Sequence, residues 1–341
     1  MADRLLEVIA RIIIIGGSEI AIDLARLAKE KRLVVLVITS PRQESELMEN
    51  GVVFKDAIRA LGLDCHTVER MDSAEVRDLV GCMSNSVALS LGAAWVFREQ
   101  TIAEVFDNKL FNLHPGGLPV NRGGGGFSWQ ILMGSRVGHA VCHRIDGGVD
   151  TGEIIFHHEF LFPPECVTPA DHWASYRSEI HAVLDMNIDK LFTLNGGGDT
   201  SVQPEYLSTY WPRINTRQQS WIDWGWDLGN LFRFISAFDE PYFGAQTLWN
   251  EKDIRLKKVQ GDFSEMNSHP FQFGMVYRNN GRWLSIAANG GTLIVERVLD
   301  SSGKNLLKEI KVGDRFYTEF SCLERRNPRV FYRPSGVGYK K

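Results

Sequence analysis

Apolar residues fall into two rhythms along the chain. Residues 11–15 (RIIII) are a continuous β-branched run that stops at Gly16-Gly17-Ser18, and the following EIAIDLARLAKEKR spaces its apolar positions at the helical period. Strand, turn and helix are expected in that order. LVVLVIT (33–39) repeats the buried-strand signal, an amphipathic stretch follows at 53–62, and SVALSLG (86–92) and KLFNLHP (109–115) read as later strands. Strands apolar on both faces, alternating with helices, predict an α/β fold with a doubly wound, mostly parallel sheet. In such sheets ligands sit beyond the carboxyl ends of the strands, so a polar cluster just after a strand is a candidate site.

The texture changes at LNGGGDT (194–200), after a helical pattern from about 170 to 192. Beyond it come one expected helix at 226–238 and short alternating segments, FQFGMVYR (271–278), WLSIAA (283–288) and GTLIVERV (291–298), divided by Asn-Gly turns. These predict a small β-rich domain of barrel type. The expected division is residues 1–200, 201–316 and a tail, 317–341.

Composition narrows the class. The 341 residues suffice for about two domains, and 44% apolar with 23% charged residues at net charge −4 is an ordinary globular balance that excludes a strongly basic nucleic-acid binder. Charge is uneven, because residues 301–341 carry ten Lys or Arg against four acids. Five scattered cysteines, with no C-x-x-C pair, argue against a disulfide framework and for a reducing, cytoplasmic setting. Glu7 and Arg11 interrupt the apolar start, which is not expected to be a signal peptide, and no run of 18 apolar residues predicts a membrane span.

The chemistry concentrates in FNLHPGGLPVNRGGGGFSWQ (111–130) and GHAVCHRIDGGVDTGEII (138–155). Asn112 and His114 are two apart on an extended segment and so share a face, after which Pro115-Gly116-Gly117 forces a turn. Asp150 lies in a Gly-Gly-Val-Asp-Thr-Gly loop, whose glycines allow a path back toward the imidazole. Alone, Asn112 reads as a turn cap, Asp150 has capping of the next turn as its lesser reading, and His114 is as readily a structural imidazole as a catalytic one. Together, an amide that donates to an oxyanion, an imidazole that takes a proton and a carboxylate that orients it suit acyl transfer to an amine. Arg122, framed by glycines that begin with Gly123, suits a phosphate or carboxylate. His143 beside His139 reads as a packed residue or substrate neighbour, adjacent His157 and His158 point to opposite strand faces, and no metal is expected. Gly16-Gly17-Ser18 does not complete a dinucleotide fingerprint, which speaks against NAD. The aromatic group from Tyr206 to Phe238 reads as interdomain core.

The segment Asn112, His114, Pro115, Leu118, Pro119, Arg122, Gly123, then His143 and Asp150, resembles the signature of the 10-formyltetrahydrofolate-dependent formyltransferase family. Gly116 stands where that family usually has Ser, Gly117 replaces a larger residue, Val141 the usual Thr, and Gly125-Gly126 stand where Pro is common. The stretch 211–249, with Asp223-Trp224 and Pro241, Gly244 and Ala245, is similar to the opening of the family's C-terminal domain, and Gly313-Asp314-Arg315-Phe316 to its end. The resemblance implies a Rossmann-like catalytic domain, an OB-like C-terminal domain and Asn112, His114 and Asp150 as catalytic residues. It implies 10-formyltetrahydrofolate as co-substrate, bound near Ser90, Leu91, Gly92 and Phe97 and near Gly147 and Gly148. Arg122, Gly123, His143 and Trp211 are the implied acceptor-site residues.

Among the relatives, the pattern is nearer to the nucleotide-sugar N-formyltransferases than to methionyl-tRNA formyltransferase. Residues 40–56 carry Glu44, Glu46, Glu49 and Asp56 against Arg42 and Lys55, a poor match for tRNA phosphates. Against this stands the basic tail, Arg325, Arg326, Arg329, Arg333, Lys340 and Lys341, which could touch RNA or merely a diphosphate. The expected function is formyl transfer to the amine of a nucleotide-linked amino sugar, with tRNA not favoured, no membrane partner and a homodimer allowed. Transfer to methionyl-tRNA, hydrolysis of the formyl donor and a non-catalytic binding module are the rival readings.

Overall fold

Ile12, Ile13, Ile14 and Ile15 are all fully buried, but not in one place: Ile12 and Ile14 pack into one apolar cluster, Ile13 and Ile15 into another. Alternation along a strand sends successive side chains to opposite faces, so a wholly apolar run requires cover on both sides. Each such side chain contributes roughly 1.5–3 kcal/mol by leaving water.

The computed structural model describes residues 11–192, 200–264, 267–326, 330–333 and 336–339. The expectations for the start of the chain, for most of the 194–200 boundary and for Arg329, Lys340 and Lys341 fall outside these residues.

The first half runs β1 (Arg11–Gly16), α1 (Glu19–Glu30), β2 (Val34–Thr39), α2 (Pro41–Glu44), α3 (Phe54–Ala60), β3 (Cys65–Thr67), α4 (Ala74–Val80), β4 (Ser86–Leu91), α5 (Glu99–Phe106) and β5 (Leu110–His114). It continues through β6 (Arg122–Gly123), α6 (Gly126–Met133), β7 (Val137–Arg144), β8 (Ile154–Leu161) and α7 (Pro169–Phe192). The large sheet has the order β3-β2-β1-β4-β5-β7-β8, parallel through β5, with β7 and β8 added antiparallel. Strand order reverses at β1, the place where open α/β sheets bind ligands.

A short parallel pair, β6 with β9 (Tyr210–Trp211), ties the linker to the first half. Then come α8 (Leu228–Ala237), β10 (Ala245–Trp249), β11 (Lys252–Asp262), β12 (Val276–Asn279), β13 (Leu284–Ala288) and β14 (Gly291–Leu299), the strands forming an antiparallel sheet of order β10-β11-β14-β13-β12. Residues 314–317 bond to both edges: Phe316 N–H donates to Gly274 O beside β12, and Tyr317 exchanges bonds with Leu248 on β10. That segment closes the sheet in the OB-like manner. Helix α6 reaches across to this domain, with Ile131 in its core and Ser128 Oγ donating to Ala237 O at 2.9 Å.

One expectation needs correction. Only the end of 271–278 is strand, because residues 270–272 make a short 3-10 turn started by Pro270. Residues 317–341 include α9 (Phe320–Glu324) and a hairpin of β15 (Val330–Arg333) and β16 (Gly336–Tyr339). Arg326 is anchored in that region, its guanidinium 5.1 Å over the Trp226 ring and donating to Trp221 O. All five cysteines are free. Among the described residues no helix is long and apolar enough to cross a membrane.

Candidate active site

β5 ends at the carboxyl edge of the sheet, and its alternation aims Asn112 and His114 into one cavity of about 270 Å³. One wall is the end of β4 with the loop that follows it, Ser90, Gly92, Trp95 and Phe97; the facing wall is the β7–β8 loop, with Gly148 and Asp150. Apolar rings with backbone and carboxylate groups between them suit a flat, polar-edged heterocycle.

The β7–β8 loop returns Asp150 to β5 by close packing. A Cβ on Gly152 would lie 1.9 Å from Arg144 O, so only glycine lets the Asp-Thr-Gly turn lie against β7. Asp150 itself has φ 54, in the left-handed region, a strained setting that its surroundings must enforce. Gln203 does so from the linker, its amide donating to Asp150 O at 2.9 Å and to Gly152 O at 2.7 Å.

Besides His114, the carboxylate faces three groups. Gly123 N–H donates to Oδ2 at 2.9 Å, Asn112 Nδ2 lies 3.4 Å from Oδ1, and His143 Nε2 is also 3.4 Å from Oδ1. Burial opposes ionisation, but the charges of His114 and His143 and the donated hydrogen bonds outweigh it and hold Asp150 well below the usual carboxylate range.

His114 is buried and held at both nitrogens. Nε2 lies 2.9 Å from Asn121 O and Nδ1 lies 3.6 Å from Asp150 Oδ2. A carbonyl only accepts, so Nε2 carries the donated proton and the lone pair of the neutral ring sits on Nδ1, opposite a carboxylate. Proton uptake at Nδ1 converts that acceptor-against-acceptor contact into an ion pair. Asn121, like Asp150, is left-handed, with φ 63. His143 Nδ1 donates to Arg144 O at 2.8 Å, which leaves its Nε2 as acceptor for Asn112 Nδ2 at 3.1 Å. The Asn112 amide is thereby turned with its N–H groups toward the site.

The other residues singled out from sequence divide. Ser90, Gly92, Phe97, Gly148, Gly123 and His143 line the cavity. Leu91 does not, since it is buried in the helix-covered core, and Gly147 packs against Glu99. Arg122 turns away from the cavity: its side chain is buried, donating to Gln203 Oε1 at 3.1 Å and Glu205 Oε2 at 2.8 Å. It braces the linker that holds Asp150 rather than facing a ligand. Trp211 supports the same region, its Nε1 donating to Asn121 Oδ1 at 2.7 Å and its ring lying 4.8 Å from that of Trp129. Asn121, Gln203 and Arg213 were not found from sequence. Arg213 lines the cavity, and among the described residues no hydrogen bond or ion pair engages its guanidinium.

Residues 215–309 match the family model described as formyl transferase, C-terminal domain. The chain is 22% identical over 302 residues to a methionyl-tRNA formyltransferase of Rickettsia bellii, covering 87% of this chain and 94% of that one. Two solved structures share the fold at 19% identity. One is WlaRD, a sugar 3N-formyl transferase solved with dTDP and 5-N-formyl-THF, at TM-score 0.65 over 85% of this chain and 98% of that one. The other is an N-formyltransferase from Helicobacter canadensis in complex with folinic acid and dTDP-3-aminofucose, at TM-score 0.64 over 85% and 99%. Residues 215–309 thus match a formyl transferase C-terminal domain, and over nearly its whole length the chain is similar to formyltransferases.

Proposed function

We propose that the chain moves the formyl group of 10-formyltetrahydrofolate to the amine of a nucleotide-linked amino sugar. The observation that carries this reading is the convergence of Asn112, His114 and Asp150 at one end of a single cavity. The donor supplies an activated formyl carbon; the rest of the chemistry falls to side chains. Asn112 Nδ2 donates to the oxygen that gains charge as the carbon becomes tetrahedral, exchanging its weaker 3.4 Å contact with Asp150 for the stronger acceptor. His114 takes the amine proton at Nδ1, and the Asp150 carboxylate stabilises the imidazolium. An amine acceptor attacks directly, so no side chain needs to be acylated; as the tetrahedral carbon collapses, the bond from the formyl carbon to the folate nitrogen breaks and His114 returns the proton to that nitrogen, releasing tetrahydrofolate.

Two features support a sugar nucleotide over tRNA. Residues 40–56 offer little free positive charge, since Lys55 is paired with Glu44 at 2.6 Å and Arg42 lies 3.8 Å from Glu46. Arg213 stands at the cavity, a fitting anchor for a diphosphate. The solved neighbours bound to folate analogues and to dTDP or a dTDP-sugar agree with this reading. The curated methionyl-tRNA formyltransferases of similar length favour the alternative acceptor. Cytoplasmic residence, where folate donors and free thiols are at home, belongs to the same proposal.

The test offers the purified protein and the folate donor with UDP- and dTDP-linked amino sugars, with charged initiator tRNA and with no acceptor. Formylated sugar is the expected product. Exclusive formylation of the aminoacyl-tRNA, or formate release alone, would overturn the reading.

A further inference from the structure

From spacing alone no metal is expected, because His157 and His158 are adjacent on β8 and point to opposite faces. Strand pairing creates a different set. In the β7–β8 register His139 lies opposite Glu159 and Val141 opposite His157, which puts His139, His157 and Glu159 on one face. Their ligand atoms form a triangle: His139 Nδ1 to His157 Nε2 is 3.0 Å, His139 Nδ1 to Glu159 Oε1 is 3.6 Å, and His157 Nε2 to Glu159 Oε1 is 3.7 Å.

Those spacings separate two explanations. The two imidazole nitrogens are at hydrogen-bond distance, but a cluster held by hydrogen bonds alone would also draw the carboxylate to within about 3 Å of one of them, whereas here it stands off from both. A tetrahedral ion with arms of about 2.1 Å needs its ligands about 3.4 Å apart, and the observed edges bracket that value. Two neutral imidazoles and one carboxylate are also a donor set that selects zinc-like divalent ions over magnesium or calcium. His139 is half-buried while His157 and Glu159 reach solvent, so an ion could enter and a water could complete the fourth position.

We propose that His139, His157 and Glu159 form a binding site for a tetrahedral divalent ion of the zinc class. It lies outside the proposed transfer chemistry and does not depend on which acceptor the cavity takes. The site backs onto the loop that carries the His114 turn, since a Cβ on Gly117 would lie 2.8 Å from the His139 ring. Absence of a side chain at 117 is what gives that ring its place. A bound ion would pin β7 to β8 beneath this loop.

The experiment uses the untagged full chain, stripped with a chelator and titrated with zinc by calorimetry, then with cobalt by visible absorption. One equivalent should bind, and cobalt should develop the intense bands of a tetrahedral site. His157→Ala should weaken binding by at least about 100-fold, the upper end of what loss of an outer partner costs. Glu159→Gln, which keeps the shape of the side chain, should also weaken it. His158→Ala is the control, because His158 lies on the opposite face, 3.5 Å from Glu179. Circular dichroism checks that each variant is folded. Failure of the folded parent chain to bind either ion, or equal binding by His157→Ala, would overturn the assignment.

Discussion

Gly116 and His114 compete for one volume: a Cβ on Gly116 would sit 2.7 Å from His114 Nε2 and 2.9 Å from the Asn121 oxygen that this nitrogen contacts. The departure from the usual Ser of the family signature is therefore tied to where the imidazole lies. Gly116→Ser should push the ring or the Asn121 carbonyl aside. A displacement of about 1 Å in a positioned group can cost about 100-fold in rate, so kcat for formyl transfer should fall at least about tenfold. An unchanged kcat would show that the ring's position in this chain is not tied to catalysis.

Asn112→Ala removes the proposed oxyanion donor. Turnover should drop about 10²–10³-fold, with a smaller change in KM because the donor is needed chiefly at the transition state. The side chain is only partly buried and its contacts are to His143 and Asp150, so a thermal melt should show the variant folded. A rate within a factor of a few of the parent's would contradict the role.

Asp150 gives a dependence on pH. Its folded carboxyl titrates below the usual value of about 4, so its ionised form stabilises the native state at pH values above that range. That stabilisation fades as pH falls below about 4 and the unfolded chain takes up the proton first. Melting temperature recorded from pH 7 downward should decline for the parent, and Asp150→Asn should lose less over the same interval while being less stable at pH 7. Parallel curves would mean that the carboxylate is not held by His114, His143 and Gly123 as described.

Arg122→Met tests whether this residue is a brace. Removing the guanidinium leaves Gln203 Oε1 buried without its donor, which costs about 1–3 kcal/mol. Loss of stability should be accompanied by a fall in kcat, since Gln203 holds the Asp150 loop, and KM for the acceptor should move little. A large rise in acceptor KM at unchanged stability would instead place Arg122 on the ligand.

The thiols should differ sharply. Cys82 is exposed, with hydrogen bonds from Ser84 lowering its pKa, whereas burial pushes Cys65 up to about 11 and raises Cys142 further. Thiolate is the reactive form, so brief treatment with iodoacetamide near pH 8 should label Cys82 first and leave Cys142 untouched, as read by peptide mass spectrometry. Early labelling of Cys142 would indicate that β7 opens readily.

Sequence by itself determined the elements whose cause is local. The isoleucine run of β1, the helical period of α1 and α7, and the two-residue spacing of Asn112 and His114 each encode which face a side chain takes, and the structure keeps all of them. The short strands β10 and β12 were less legible, because turns at their ends and partners far along the chain decide their limits. Tertiary structure alone decided who meets whom. Arg122 looked like a ligand-facing arginine until the fold supplied Gln203 and Glu205 as nearer partners. Asn121 gives His114 its acceptor through a backbone carbonyl, which no residue identity announces. Neither Arg213 at the cavity nor His139 beside His157 follows from spacing, since both depend on the register and packing of distant segments. Periodicity records the faces of one element; the partners of a polar group depend on how separate elements are brought together, and that is fixed only when the cores between them are packed.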